Sequence, residues 1–135
     1  MNDKAFLDTN ILLYAAGDAD PRQVIAGEII ATGGVISVQV LNEFVNVGRR
    51  KFQWPWPKIE EALASFRTLL ERPLSLTVAT HERAFAIARR HHLHIYDALI
   101  VASAAEADCG LLLTEDMADG MSIGGVTIRN PFRTA

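Results

Sequence analysis

The run Ala5-Phe6-Leu7-Asp8-Thr9-Asn10-Ile11-Leu12-Leu13-Tyr14 constrains the fold more than any other part of the chain. A short apolar stretch, the length of a buried strand, stops at a carboxylate and two polar residues. An apolar pattern at helical spacing then resumes. A strand that runs straight into a helix opens an α/β architecture. Asp8 then stands at the carboxyl end of a strand, where open α/β sheets bind their ligands. Thr9 or Asn10 is expected to cap the helix, since each offers an oxygen to its first free N–H groups. On this stretch alone Asp8 reads first as a cap or turn residue. The acidic residues further along set it apart.

The same alternation continues to the end of the chain. A strand is expected over 4–7, a helix over 10–16 and a turn over 18–21, with Pro21 placed to open a second helix over 22–31. That helix carries Val24, Ile25, Ile29 and Ile30 inward and stops at Gly33-Gly34. The β-branched run 35–38 reads as a strand, and 39–51 as a helix with Val40, Leu41, Phe44, Val45 and Val47 on one side. Trp54-Pro55-Trp56-Pro57 breaks the pattern before a helix that runs to Leu70. A third strand is expected over 74–78, then a helix capped by Thr80 that runs to His92 and buries Ala84, Phe85, Ile87 and Ala88. An Ala-rich helix over 96–107, apolar almost all round, should be largely buried. Strands over 110–113 and 126–128 complete a sheet. The fold class is a three-layer α/β/α sandwich around a mostly parallel five-stranded, Rossmann-like sheet, with 1–135 as a single domain.

Composition limits the setting. At 135 residues, half of them hydrophobic, the chain can bury a real core. One cysteine, Cys109, rules out an internal disulfide and fits a reducing compartment. Asp3, Lys4 and Asp8 interrupt the N-terminal apolar residues, so no signal peptide is expected. The longest uncharged stretch, over 29–42, is too short to span a bilayer. A cytoplasmic protein with no membrane partner is expected. The formal charge of −3 does not mark a nucleic-acid binder. Two divalent cations held by carboxylates would bring the total just above zero, however, so charge does not exclude RNA.

Four acidic residues occupy places where solvation is a poor account of them. Asp8 ends the first strand, and Glu43 sits at the edge of the apolar face of its helix. Asp97 begins the most apolar helix, and Asp116 follows a strand in Leu113-Thr114-Glu115-Asp116. In a parallel sheet with right-handed crossovers the loops after strands open on one edge, which can gather these four. Carboxylates so gathered would repel one another unless a cation sat among them. An oxygen-only set suits Mg²⁺ or Mn²⁺. The chemistry that fits is phosphodiester hydrolysis. Glu115, one residue from Asp116, points the opposite way if the strand continues, and is left out of the set.

At these residues the chain resembles the PIN-domain family, particularly the VapC-type toxins of prokaryotic toxin–antitoxin pairs. The matching pieces are Phe6-Leu7-Asp8-Thr9-Asn10, Ser37 through Leu41-Asn42-Glu43-Phe44, Tyr96-Asp97-Ala98-Leu99-Ile100, Leu113-Thr114-Glu115-Asp116 and the closing Asn130-Pro131-Phe132. The resemblance implies a Mg²⁺- or Mn²⁺-dependent ribonuclease, usually a homodimer, silenced by a cognate antitoxin. It implies that Asp8, Glu43, Asp97 and Asp116 are the catalytic, metal-binding set, with Thr9, Asn10 and Thr114 as polar neighbours that orient them. Whether Asp119 joins the set is left open by the glycine-rich run 120–125.

Other features are weighed against plainer readings. His81, His91, His92 and His94 flank a helix end, where cationic side chains are stabilising. Cys109 has no base near it in sequence, and no Gly-x-Ser-x-Gly elbow is present. Arg49 and Arg50 close a helix and equally suit RNA phosphates. Trp54 and Trp56, among prolines, can stack on bases or anchor a partner protein, and protein contact is favoured. The alternative to an enzyme is a catalytically weak PIN-fold binding or regulatory module. A phosphatase of the Asp-x-Asp kind is disfavoured by Asn10 in the place of the second acid.

Overall fold

The computed structural model describes residues 4–18 and 20–133, so Asp3 and part of the turn expected over 18–21 lie outside the described residues. Six helices are present among them: α1 (Thr9–Ala16), α2 (Arg22–Thr32), α3 (Val38–Arg50), α4 (Trp56–Leu69), α5 (Val78–His91) and α6 (Ile95–Glu106). Four strands, β1 (Phe6–Leu7), β2 (Leu111–Leu113), β3 (Ser122–Ile123) and β4 (Val126–Arg129), form a sheet in the order β1-β2-β4-β3. The pairs β1–β2 and β2–β4 are parallel and β3–β4 is antiparallel. Phe6 and Leu7 point to opposite faces of the sheet, and both are fully buried. The sheet is therefore covered on both sides, as the α/β reading requires.

Two of the five expected strands are reduced to single bridges. Val35 pairs with Phe6, and Leu74 pairs with Ser37, both in parallel. The parallel ladder thus continues beyond β1 through the 35–37 and 74 segments without regular strands. Pro73 has no N–H to extend the outer segment, and Val38 and Val78 already belong to the helices that follow. The missed strand is β3, which folds back on β4 through Gly124-Gly125. Both glycines have positive φ (55° and 85°), as a two-residue hairpin of this hand demands.

Caps and faces also depart from expectation in instructive ways. Asp8, rather than Thr9 or Asn10, caps α1. Thr77 caps α5, and Thr80 is its reciprocal partner in a capping box while its hydroxyl donates to Glu106 at 2.9 Å. Val24 is 65% exposed, because α2 turns Ala26 and Ile30, one helical turn apart, inward instead. Phe85 is exposed as well. Helices α5 and α6 meet along Ala84, Ala98 and Ala102, small residues that let them approach closely and leave no room for a ring at the seam.

An aromatic cluster locks α3 to α4. Phe44 is fully buried, meets Phe66 edge-on at 5.1 Å and lies 5.9 Å from Trp54. Gln53 has left-handed backbone (φ 55°), which turns the chain so that Trp54 folds back onto α3. There its N–H donates to the Gly48 carbonyl at 3.0 Å. A Cβ on Gly48 would stand 2.9 Å from the Trp54 ring. Gly48→Ala should therefore destabilise the protein by about 1–2 kcal/mol despite alanine's higher helix propensity, because a ring held on several sides cannot yield cheaply. Urea unfolding, together with a shift in tryptophan emission, checks this.

Candidate active site

The site begins at the carboxyl end of β1. Asp8 is 4% exposed. Its Oδ1 accepts the Thr9 N–H at 2.7 Å, and its Oδ2 accepts the Thr114 hydroxyl at 2.8 Å. Thr114 directly follows β2, the strand hydrogen-bonded to β1, so parallel pairing sets these two residues side by side. The Thr114 oxygen in turn accepts from Asn10 Nδ2 at 3.1 Å and from the Asp116 N–H at 3.0 Å. Asn10 Nδ2 also donates to Asp116 Oδ2 at 3.1 Å. On the other side the Thr9 hydroxyl donates to Glu43 Oε2 at 2.8 Å, and Gln39, one turn earlier on α3, donates to Glu43 Oε1. Thr9, Asn10 and Thr114 thus tie Asp8, Glu43 and Asp116 into one network.

Electrostatics bring in the fourth acid. Burial pushes the Asp8 carboxyl up to about 7, against the pull of its two hydrogen bonds, and the charges of Glu43 and Asp116 push the same way. Asp97, half-buried in the first turn of α6, is also raised, by burial first and then by Asp116 and Glu43, with His94 opposing. Asp97 accepts no hydrogen bond from the described residues. Asp8 and Asp97 each feel the charges of Glu43 and Asp116, yet no three potential ligands among the described residues stand close enough to hold a cation as arranged. The reason is visible in the network: hydroxyls and an amide lie between the carboxylates. Oxygen donors alone and a carboxyl made basic by its surroundings fit a hard divalent cation, whose charge would offset the burial and repulsion that Asp8 bears.

Several other residues resolve differently from their sequence reading. The Glu115 carboxylate stays outside the acidic network: it accepts from the Tyr14 hydroxyl and pairs with Arg22 at 3.3 Å. Residues 114–116 have left the strand, so its alternation does not extend to them. Its neighbour Arg22 also clamps Asp20 at 2.8 Å and lies over the Tyr14 ring. Asp119 belongs elsewhere, accepting the Asn130 N–H at 2.9 Å and pairing with Arg133. His94 caps α6 through Nδ1. The Cys109 thiol is pushed up to about 11 by burial, which leaves no reactive thiolate. Arg49 donates to the Trp54 carbonyl at 2.9 Å and lies over the Trp56 ring, while Arg50 stays exposed. The two tryptophans part company: Trp54 is half-buried, and Trp56 is 57% exposed.

A covered, mostly parallel sheet with acidic side chains gathered beyond its strand ends defines an α/β protein with a charged ligand site at the carboxyl edge. The PIN domain model matches residues 5–118, and the chain belongs to that family. No curated protein matches it in sequence. Among solved structures it is similar to VapC20 of Mycobacterium tuberculosis, described as a sarcin–ricin loop cleaving toxin. The two share 22% identity at a TM-score of 0.67, over 80% of this chain and 86% of that one. A toxin–antitoxin complex from Klebsiella pneumoniae aligns at 22% identity and a TM-score of 0.71, over 96% and 99% of the two chains. VapBC2 of Rickettsia felis, bound to a DNA fragment from its promoter, aligns at 21% and 0.66, over 93% and 97%. At these identities the likeness is one of fold. No helix among the described residues is long and apolar enough to cross a membrane.

The raised Asp8 carboxyl has a consequence for stability. Its folded value lies above the unfolded 3.8, so the native state binds the proton more tightly. Stability of the metal-free protein is then highest below about 4 in this respect and falls as pH rises towards 7, by on the order of 3–4 kcal/mol. Asp8→Asn removes this dependence. Urea titrations in EDTA should show the variant gaining on the wild type between pH 5 and 8. A constant difference would contradict the assignment.

Proposed function

We propose that this protein is a Mg²⁺- or Mn²⁺-dependent endoribonuclease, the toxin half of a toxin–antitoxin pair. The observation that carries the reading is Asp8: a buried carboxyl at the end of β1, made basic by burial and by the charges of Glu43 and Asp116. Asp8, Glu43, Asp97 and Asp116 would hold the cation. When bound, it supplies positive charge for the developing phosphorane and acidity for the attacking water. The chain's own groups set the geometry around it. Thr9 and Gln39 fix both oxygens of Glu43, and Thr114 and Asn10 hold Asp8 and Asp116 at a set spacing. Asp97, with no hydrogen bond to spend its oxygens on, is free to take a ligand or a water.

The fold neighbours support the biological half of the proposal, since one cleaves the sarcin–ricin loop and another is a toxin–antitoxin complex. A cognate antitoxin and a second copy of the chain are the expected protein partners, and Trp56 is the anchor we assign to them. It stands beside a shallow apolar groove of about 440 Å³ lined by Val45, Ile59 and Leu63. A binding module without catalysis is the second reading, favoured by the spacing of the carboxylates as they stand.

Cleavage of labelled single-stranded RNA separates the two. Activity should require Mg²⁺ or Mn²⁺, vanish in EDTA and fall at least about 100-fold in Asp8→Asn. Equal cleavage by both proteins would remove the enzyme assignment. In cells, expression of the wild type should arrest growth and Asp8→Asn should not. Co-expression of the cognate antitoxin should restore growth. Arrest by the variant as strong as by the wild type would contradict the toxin reading.

A further inference from the structure

We propose that the cavity beside Asp116 is a nucleobase subsite for single-stranded RNA, in which a base next to the scissile phosphate stacks on Phe52. The inference rests on the ribonuclease reading and adds to it where the substrate lies. The cavity encloses about 570 Å³, within the range of ligand pockets. Its lining joins Asn10 and Asp116 of the acidic network to Lys51, Phe52 and Trp54. A chain whose phosphate lay at the carboxylates would share this cavity with the aromatic residues, and a neighbouring base would have them within its walls.

The aromatic part of the lining is built as a platform. Phe52 and Trp54 stack nearly parallel, at 18° with ring centroids 5.1 Å apart. Trp54 is braced from behind by Phe44 and by the bare backbone of Gly48. The slab is therefore ordered before any ligand arrives, while Phe52 remains 45% exposed. A base that stacks there loses little to ordering the protein, and any base can do so because each has a π-face.

Charge favours a nucleotide over a basic peptide. The other acids in the wall are already matched: Asp18 by Lys58 at 3.2 Å, and Asp20 and Glu115 by Arg22. An incoming arginine or lysine would find those counter-charges taken. Lys51 and Arg50 have no carboxylate partner among the described residues, and Lys51 Nζ rests 5.4 Å from the Phe52 ring centre. A neutral planar base can displace that ammonium from the ring and leave it free for a phosphate. The exposed tail of α3 thereby contributes phosphate contacts at the mouth of the cavity.

Trp56→Phe leaves Trp54 as the only tryptophan and turns it into a reporter. Single-stranded RNA titrated into this protein in Ca²⁺ should quench Trp54 emission. Phe52→Leu, a conservative change at a half-exposed position, should weaken RNA affinity about 10-fold and raise KM with little change in kcat, and Phe52→Tyr should restore both. Affinity and KM unchanged by Phe52→Leu, while the wild type cleaves RNA, would overturn the subsite and leave the ribonuclease reading intact. Failure of the wild type to cleave RNA in Mg²⁺ or Mn²⁺ would sink that reading, whereas RNA quenching that Phe52→Leu weakens would still support the subsite. Quenching by an arginine-rich peptide and not by RNA would overturn the proposal in favour of a peptide groove.

Discussion

The grip of Thr9 N–H and the Thr114 hydroxyl on the Asp8 carboxyl is the contact on which the site depends. Both donors come from residues placed by the sheet: Thr9 opens the helix after β1, and Thr114 directly follows the parallel neighbour β2. Two hydrogen bonds do not offset the cost of burying a carboxylate among other acids, so the group stays basic. That residual cost remains in the folded protein. It leaves a site that is costly to keep charged and whose charge a cation would relieve.

Much of this was legible in the residues, and the parts that were not have definite causes. Asp8 announced itself because an apolar run stopped at it, and Glu43 because it sat on the margin of a helical face. The polar residues between the carboxylates were read as companions, but their role as spacers depends on rotamers that no periodicity encodes. Glu115 pairs with Tyr14 and Arg22, partners that no strand alternation announces, because the strand ends two residues before it. Phe52 was not singled out at all. It follows three basic residues at what reads as a solvated helix end, and only the left-handed turn at Gln53 brings Trp54 alongside it. Its one sequence signal was an aromatic residue two positions from Trp54.

The sheet shows the same division. Helices were readable because each has a three-turn apolar pattern or a clear terminator. Strands of two to four residues carry too few positions for a pattern. Runs such as 35–38 and 74–78 were β-branched or apolar enough to be named but too constrained by Pro73 and the following helices to pair beyond one bridge. The β3–β4 hairpin was hidden in a glycine-rich stretch, where the turn is the only informative element.

The way this sheet ends on each side limits how the molecule can meet others. One margin is the two-residue β3, folded back through Gly124-Gly125, and the other is a single bridge at Leu74 behind a proline. Neither margin offers a run of unpaired backbone long enough to recruit a visiting strand. Any partner of this chain would have to dock on helix flanks and loops, where fit is decided by side-chain shape.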